Sequence, residues 1–136
     1  MAKVFRNGDI RSGYYRDQTF MLAIGQLTVQ QYFAQLYAHT DIQADPASGG
    51  RFMNGHFATR FLNPDGTWKK LKDLKNSISD ISPTAAQIPR LVGLALASKL
   101  YRGNPELSDM TAFSNCGNEI AFGTIGNAAT SEGIFF

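Results

Sequence analysis

Apolar positions recur at helical spacing in two stretches of this chain and run together in a third. Val29, Phe33, Leu36 and Tyr37 share one stripe, directly after Thr28 and Gln31. That Thr-x-x-Gln pair matches a capping box, in which the hydroxyl and the amide side chain satisfy free N–H groups reciprocally, so a helix is predicted to follow. Ile88, Leu91, Val92, Ala95, Leu96 and Leu100 recur at three- and four-residue steps and predict a longer helix with one buried face. Pro89 lacks an N–H and is tolerated only in a first turn, so this helix is predicted to start near Gln87. Arg102-Gly103-Asn104-Pro105 ends it. A short helix is predicted over Gln18–Ile24, closed by Gly25.

The third stretch, Ile120 to Ile125, is almost unbroken and apolar. Gly126 stops it, and small residues lead into Ser131-Glu132-Gly133. A short apolar run ended by glycine and followed by a helix-compatible segment predicts a buried parallel strand turning into a helix. At such a junction an α/β protein binds anions, because free N–H groups and the helix dipole face outward. The pattern marks one buried strand only, whereas a parallel sheet needs several. The partner strands are therefore expected beyond the ends of the chain. The first dozen residues are polar and contain glycine, and no element is predicted there.

Between His39 and about residue 80 the reading is of an irregular loop region. Asp45-Pro46, Ser48-Gly49-Gly50, Asn54-Gly55 and Asn63-Pro64-Asp65-Gly66 are successive turn signals. The last predicts a hairpin tip between short strands around Phe57–Leu62 and Thr67–Leu71. Lys69, Lys70, Lys72 and Lys75 cluster there without interleaved aromatic residues or an arginine fork, the mark of a solvated face.

Composition narrows the class. A chain of 136 residues is enough for one domain, and 43% hydrophobic content is that of a folded protein. A net charge of +2 favours neither nucleic acid nor an anionic membrane surface as partner, and no apolar run is long enough to span a bilayer. Cys116 is the single cysteine, which makes a reducing, cytoplasmic setting the simpler expectation. Phe135-Phe136 falls one turn into the last predicted helix, so the chain reads as a piece of a longer protein.

Two places offer chemistry. Asp80–Gln87 is a polar turn feeding a helix N-terminus, a form that most capped helices share. Gly126-Asn127-Ala128-Ala129 follows the strand and suits an anion, but it carries no Gly-Lys-Ser/Thr and lacks the later glycines of a dinucleotide fingerprint.

Taken in order, YYRD (Tyr14–Asp17), GGRFMNGHFATR (Gly49–Arg60), DISPTAAQIPRLVGLALASK (Asp80–Lys99) and GTIGNAATSEG (Gly123–Gly133) resemble a known family. It is the alpha part of the thiamine-diphosphate-dependent 2-oxoacid dehydrogenases, the first, decarboxylating component, most similar to the branched-chain type. The resemblance implies an α/β thiamine-diphosphate-binding fold, a parallel sheet flanked by helices, here incomplete. It implies oxidative decarboxylation of a 2-oxoacid and transfer of the acyl unit to a lipoyl group. The implied partners are a beta part, separate or fused, whose glutamate activates the cofactor, and a lipoyl transacylase component.

The resemblance also assigns residues. Arg16 of the Tyr-Arg motif bonds a diphosphate oxygen in the family, and Tyr15 lines the same pocket. The Ser-Pro-x-x-x-Gln loop matches Ser82, Pro83 and Gln87, with Thr84 inside it, and touches the cofactor. Branched-chain relatives hold a potassium ion on this loop. Here Ala86 stands at the usual threonine and Ile81 at the usual serine, which counts against K+. The family's Gly-Asp-Gly metal motif matches Gly126-Asn127-Ala128, followed by Ala129. Its acid ligates Mg2+; Asn127 offers an oxygen without the charge. No catalytic side chain is implied within this chain. His56 reads as structural, and His39 suits a helix end. The rival reading is a non-catalytic pseudoenzyme or assembly subunit that keeps the fold.

Overall fold

A computed structural model of the chain describes residues 1–53 and 55–136; Asn54, half of one predicted turn, lies outside them. Three strands, β1 (Ile10–Tyr14), β2 (Asn76–Ile81) and β3 (Ala121–Phe122), form a parallel sheet in the order β2-β1-β3. The fold is α/β. Two partner strands thus lie inside the chain, against the expectation that they lie beyond its ends. The irregular region gives way to β2 at Asn76 rather than running to residue 80.

Both strands escaped the hydrophobic pattern because they bury polar side chains. Arg11, Ser12, Asn76, Ser77 and Asp80 are all buried. Each finds internal partners, the condition for burying polar groups, although Asn76 Oδ1 has none among the described residues. Ser12 Oγ donates to the Gln87 carbonyl at 2.9 Å. Asn76 Nδ2 donates to the carbonyls of Leu71 (2.8 Å) and Leu74 (3.0 Å).

The run from Ile120 to Ile125 is only partly a strand. It is parallel as predicted, but just Ala121–Phe122 pair, and Ile120 and Ile125 are exposed. The predicted helix after Gly126 is two 3₁₀ turns, Asn127–Ser131 and Gly133–Phe135. Thr130 Oγ1 donates to the Asn127 carbonyl at 2.7 Å, and Gly133 follows. A hydroxyl competing for the first carbonyl and a glycine after one turn both work against a regular helix. No helix dipole therefore reinforces this turn.

The helices start where their caps predict and face where the pattern does not. α1 (Gln18–Ala23) is closed by Gly25 at φ +74°, a left-handed conformation suited to glycine. α2 (Val29–Leu36) carries the full capping box: Gln31 N donates to Thr28 Oγ1 at 3.1 Å, and Thr28 N to Gln31 Oε1 at 3.0 Å. Yet Val29, Phe33 and Tyr37 are exposed. α3 (Gln87–Gly103) begins at the predicted residue, with Pro89 in its first turn. Its expected buried face is also turned outward, with Val92, Leu96 and Leu100 more than half exposed at 64%, 54% and 51%. The side toward the sheet carries Gln87 and Ser98, both buried, and Leu91, which approaches Gly123. A sheet that buries polar groups takes polar and small residues from the helix above it.

The apolar core lies elsewhere, around α1. Met21, fully buried, packs with Phe5, Ile24, Leu27 and Phe57. Phe20 adds edge-on contact to Phe5, ring centroids 5.3 Å apart, and meets Phe122 at 5.0 Å. The predicted hairpin tip is present without the short strands expected on either side: Leu62 and Trp68 form an isolated bridge, Asn63 N donates to the Thr67 carbonyl, and Lys69 N to that of Phe61, both at 2.8 Å.

Glu119 ties the approach to β3. Its carboxylate accepts from Ser114 Oγ at 2.7 Å and Asn115 N at 3.1 Å. Partial burial pushes its pKa up, but these hydrogen bonds, that of Ser114 foremost, outweigh it and leave the pKa below the ordinary value. A lowered folded pKa gives stability that is present above the unfolded pKa and fades as pH falls through the folded one. The melting temperature of Glu119→Gln is thus expected below that of the parent near neutrality. Thermal melts across pH should show the gap closing below about pH 4.

Candidate functional site

In a parallel sheet the carboxyl ends of the strands share one edge, and the segments leaving them meet there. Tyr14 ends β1, and Arg16 and Asp17 follow it; Thr84, Ala85 and Gln87 follow β2. Thr124–Gly126, Ala128 and Ala129 follow β3. Together they line one cleft of about 380 Å³. Arg16, Thr84, Gly126, Ala128 and Ala129, assigned from sequence, share its walls with Gln87 of the Ser-Pro-x-x-x-Gln loop.

Asn127, Tyr15 and Ser82, also assigned from sequence, do not. Asn127 is exposed and off the walls. Tyr15 and Ser82 stand beside the cleft, joined through His56. The Tyr15 and His56 rings stack at 5.3 Å and 9°, and His56 Nε2 lies 2.6 Å from Ser82 Oγ. The structural reading of His56 from sequence is consistent with that bridge.

Arg16 is the exposed cation of the cleft. Its Nε donates to the Tyr15 hydroxyl at 2.9 Å, and its guanidinium lies over the Tyr15 and Tyr14 rings at 5.2 and 5.7 Å. The Tyr15 hydrogen bond, then the two phenol charges, push its pKa up further, so it is a permanent cation. Asp17 accepts from the Thr124 hydroxyl, linking the β1 and β3 segments.

Gln87 closes the floor. Its Nε2 donates to the Thr124 carbonyl at 2.9 Å, while its buried Oε1 has no partner among the described residues. Ala85, 1% exposed, sits at φ +67°, a left-handed conformation that costs a non-glycine residue about 1–2 kcal/mol. Strain of this kind gathers at functional loops.

Sequence reasoning missed Asp17 and Thr124 as wall residues. Both lie inside quoted motifs, Asp17 directly after Arg16, so the signal was adjacency. It also missed the buried pair beneath, Arg11 and Asp80, 2.8 Å apart with side chains 1% and 0% exposed. Burial pushes the Asp80 carboxyl up, against the pull of Arg11 and of its other donors.

Parts of three of the quoted motifs line this cleft, and comparison with known proteins identifies the family. Residues 1–136 match the dehydrogenase E1 component family. The chain belongs to that family. It is 32% identical over 123 residues to the 2-oxoisovalerate dehydrogenase subunit alpha of Bacillus subtilis (strain 168). The match takes in 90% of this chain and 28% of that protein, so the chain spans under a third of its relative's length. No solved structure matches it significantly. For this E1 chain the α/β sheet and flanking helices agree with an incomplete thiamine-diphosphate-binding fold.

Proposed function

We propose that this chain forms the diphosphate side of the cofactor site in a 2-oxoacid dehydrogenase E1 component, within the alpha part of the branched-chain type. The observation that carries the reading is convergence. Arg16, Thr84 and the Gly126, Ala128 and Ala129 turn come from three segments far apart in sequence and meet in one cleft at the carboxyl ends of parallel strands. Family membership supplies the cofactor class, thiamine diphosphate.

The cleft suits a diphosphate on its own chemistry: a permanent cation, the hydroxyl of Thr84, and a turn of small residues that lets phosphate oxygens approach the backbone. Tyr15 orients the Arg16 guanidinium by accepting from its Nε, and His56 holds Ser82 and Tyr15 in register beside the cleft. When bound, the thiamine ring supplies the electron sink that lets carbon dioxide leave a 2-oxoacid. The residues here bind and orient; they fix where that ring sits.

The divalent cation fits less well. Asn127 is uncharged and off the walls, and no group of three or more His, Cys, Asp or Glu that could hold a metal occurs among the described residues. No step is therefore routed through Mg2+. The loop carries Ala86 and Ile81 where K+ ligands would stand, and K+ is not part of the proposal. The beta part, the lipoyl transacylase and the 2-oxoacid substrate belong to the same proposal and rest on the family, while the proposed cytoplasmic setting rests on the single cysteine, Cys116.

Asn127 favours one second reading, a pseudoenzyme that keeps the fold for assembly. Titration of the intact protein with thiamine diphosphate, with and without Mg2+, separates the two. The cofactor reading expects saturable binding, weakened about 10- to 100-fold by Arg16→Ala, the worth of one or two charge-assisted hydrogen bonds. No binding with Mg2+ present leaves the pseudoenzyme.

A further inference from the structure

We propose that the buried Arg11–Asp80 ion pair is a positioning element of the cleft, whose side-chain contacts fix its β1, β2 and 55–57 segments relative to each other. The inference rests on the cofactor reading above.

The geometry of the pair reaches every one of those segments. Asp80 Oδ1 accepts from Arg11 Nη1 at 2.8 Å. Its Oδ2 accepts from Gln18 Nε2 at 2.7 Å and from the Phe57 N–H at 3.1 Å. Gln18 Nε2 also donates to the Gly55 carbonyl at 2.7 Å. Arg11 Nη1 donates in addition to Ser77 Oγ at 2.9 Å, and Nη2 to the Tyr14 carbonyl at 3.4 Å. Nη2 lies 3.9 Å from the Asp17 carboxylate on the cleft wall.

Apart from Ser77, each of these partners lies within two residues of a residue of the site. Tyr14 and Asp17 flank Tyr15 and Arg16. Phe57 and Gly55 flank His56, which touches Ser82 and Tyr15. Asp80 itself precedes Ser82 by two residues.

The backbone is shaped to allow the pair. From Ser12 to Tyr14 β1 advances two residues, while β2 advances three, from Ile78 to Ile81. A bulge of this kind re-aims a side chain, and here it brings Asp80 under β1. Gly13 faces the bulge, and a Cβ there would fall on the Arg11 guanidinium and on Asp80 Oδ1.

A buried ion pair is a poor source of stability, because desolvation offsets the attraction, and apolar replacements often serve as well. What it supplies is direction: a planar fork and a carboxylate accept few arrangements. That combination assigns the pair to placement of the site rather than to holding the sheet.

The test compares stability with affinity in the intact protein. Arg11→Met alone leaves a buried carboxylate without its cation and is expected to lower the melting temperature sharply. The double variant Arg11→Met with Asp80→Asn should recover the melting temperature. It should still bind thiamine diphosphate at least tenfold more weakly than the parent. Arg11→Lys, which keeps the charge but loses the fork, should retain the fold and bind with intermediate affinity. A double variant with recovered melting temperature and parental affinity overturns the inference. So does parental affinity in a well-folded Arg11→Lys variant.

A measurement on the unaltered protein covers the case in which the variants fail to fold. With no cofactor present, the Phe57 amide should exchange with solvent as slowly as that of Asp80, which donates to the Phe57 carbonyl at 2.8 Å. Exchange of Phe57 at the rate of an open loop also overturns the proposal. If the parent protein binds no thiamine diphosphate, the cofactor reading fails, while the exchange measurement still judges the clamp.

Discussion

Replacing Gly13 by alanine is expected to cost about 3–5 kcal/mol of stability, the penalty for breaking a buried ion pair. The cause is space rather than backbone freedom. A methyl group at this position has no room unless the Arg11 guanidinium leaves Asp80. If it leaves, Asp80 is a carboxylate with a fully buried side chain and no cation, and Ser77 Oγ loses its donor. Against a typical stability of about 5–15 kcal/mol, such a loss brings the folded state close to its limit. Urea unfolding of the variant should show a lower midpoint at unchanged slope. A midpoint equal to that of the parent means the guanidinium has somewhere else to go.

Met21→Ala is the second large effect, at about 2–5 kcal/mol. Met21 is completely buried at the centre of the apolar cluster, between Phe5, Ile24, Leu27 and Phe57. The surrounding rings are held edge-on and tilted against one another, so they cannot all collapse into the space left behind. α1 contributes that residue, and the Tyr15-Arg16 segment runs directly into α1. Thermal melts should therefore report a lower midpoint than for Val92→Ala, where the side chain is 64% exposed. Equal losses at the two positions would mean that the cluster around α1 is not the core.

The sequence made local chemistry legible. The Thr28–Gln31 box, the start of α3 at Gln87 ahead of Pro89, and the turn at Asn63–Gly66 depend on a few neighbouring residues, and all stand in the structure. The motif loops were legible for the same reason, and Arg16, Thr84 and Gly126 do meet. What stayed hidden depends on contacts between distant segments. β1 and β2 read as polar because Arg11 and Asp80 satisfy each other across the sheet, a pairing no periodicity carries. The outward turn of Val92, Leu96 and Leu100 was hidden likewise. Periodicity identified the apolar stripe of α3 but not that Gln87 and Ser98 would take the side facing the strands.

Strand order has a kinetic consequence. β1, near the amino terminus, is the central strand, and Ile10 pairs both with Asn76 and with Ala121. β1 thus waits for β3, far later along the chain, before both its edges are covered. Closing such distant pairs is slow, because loop-closure entropy must be overcome before the contacts form. During that interval an unpaired strand edge is open to other chains, so nascent copies of this protein are exposed to aggregation in proportion to how long translation takes.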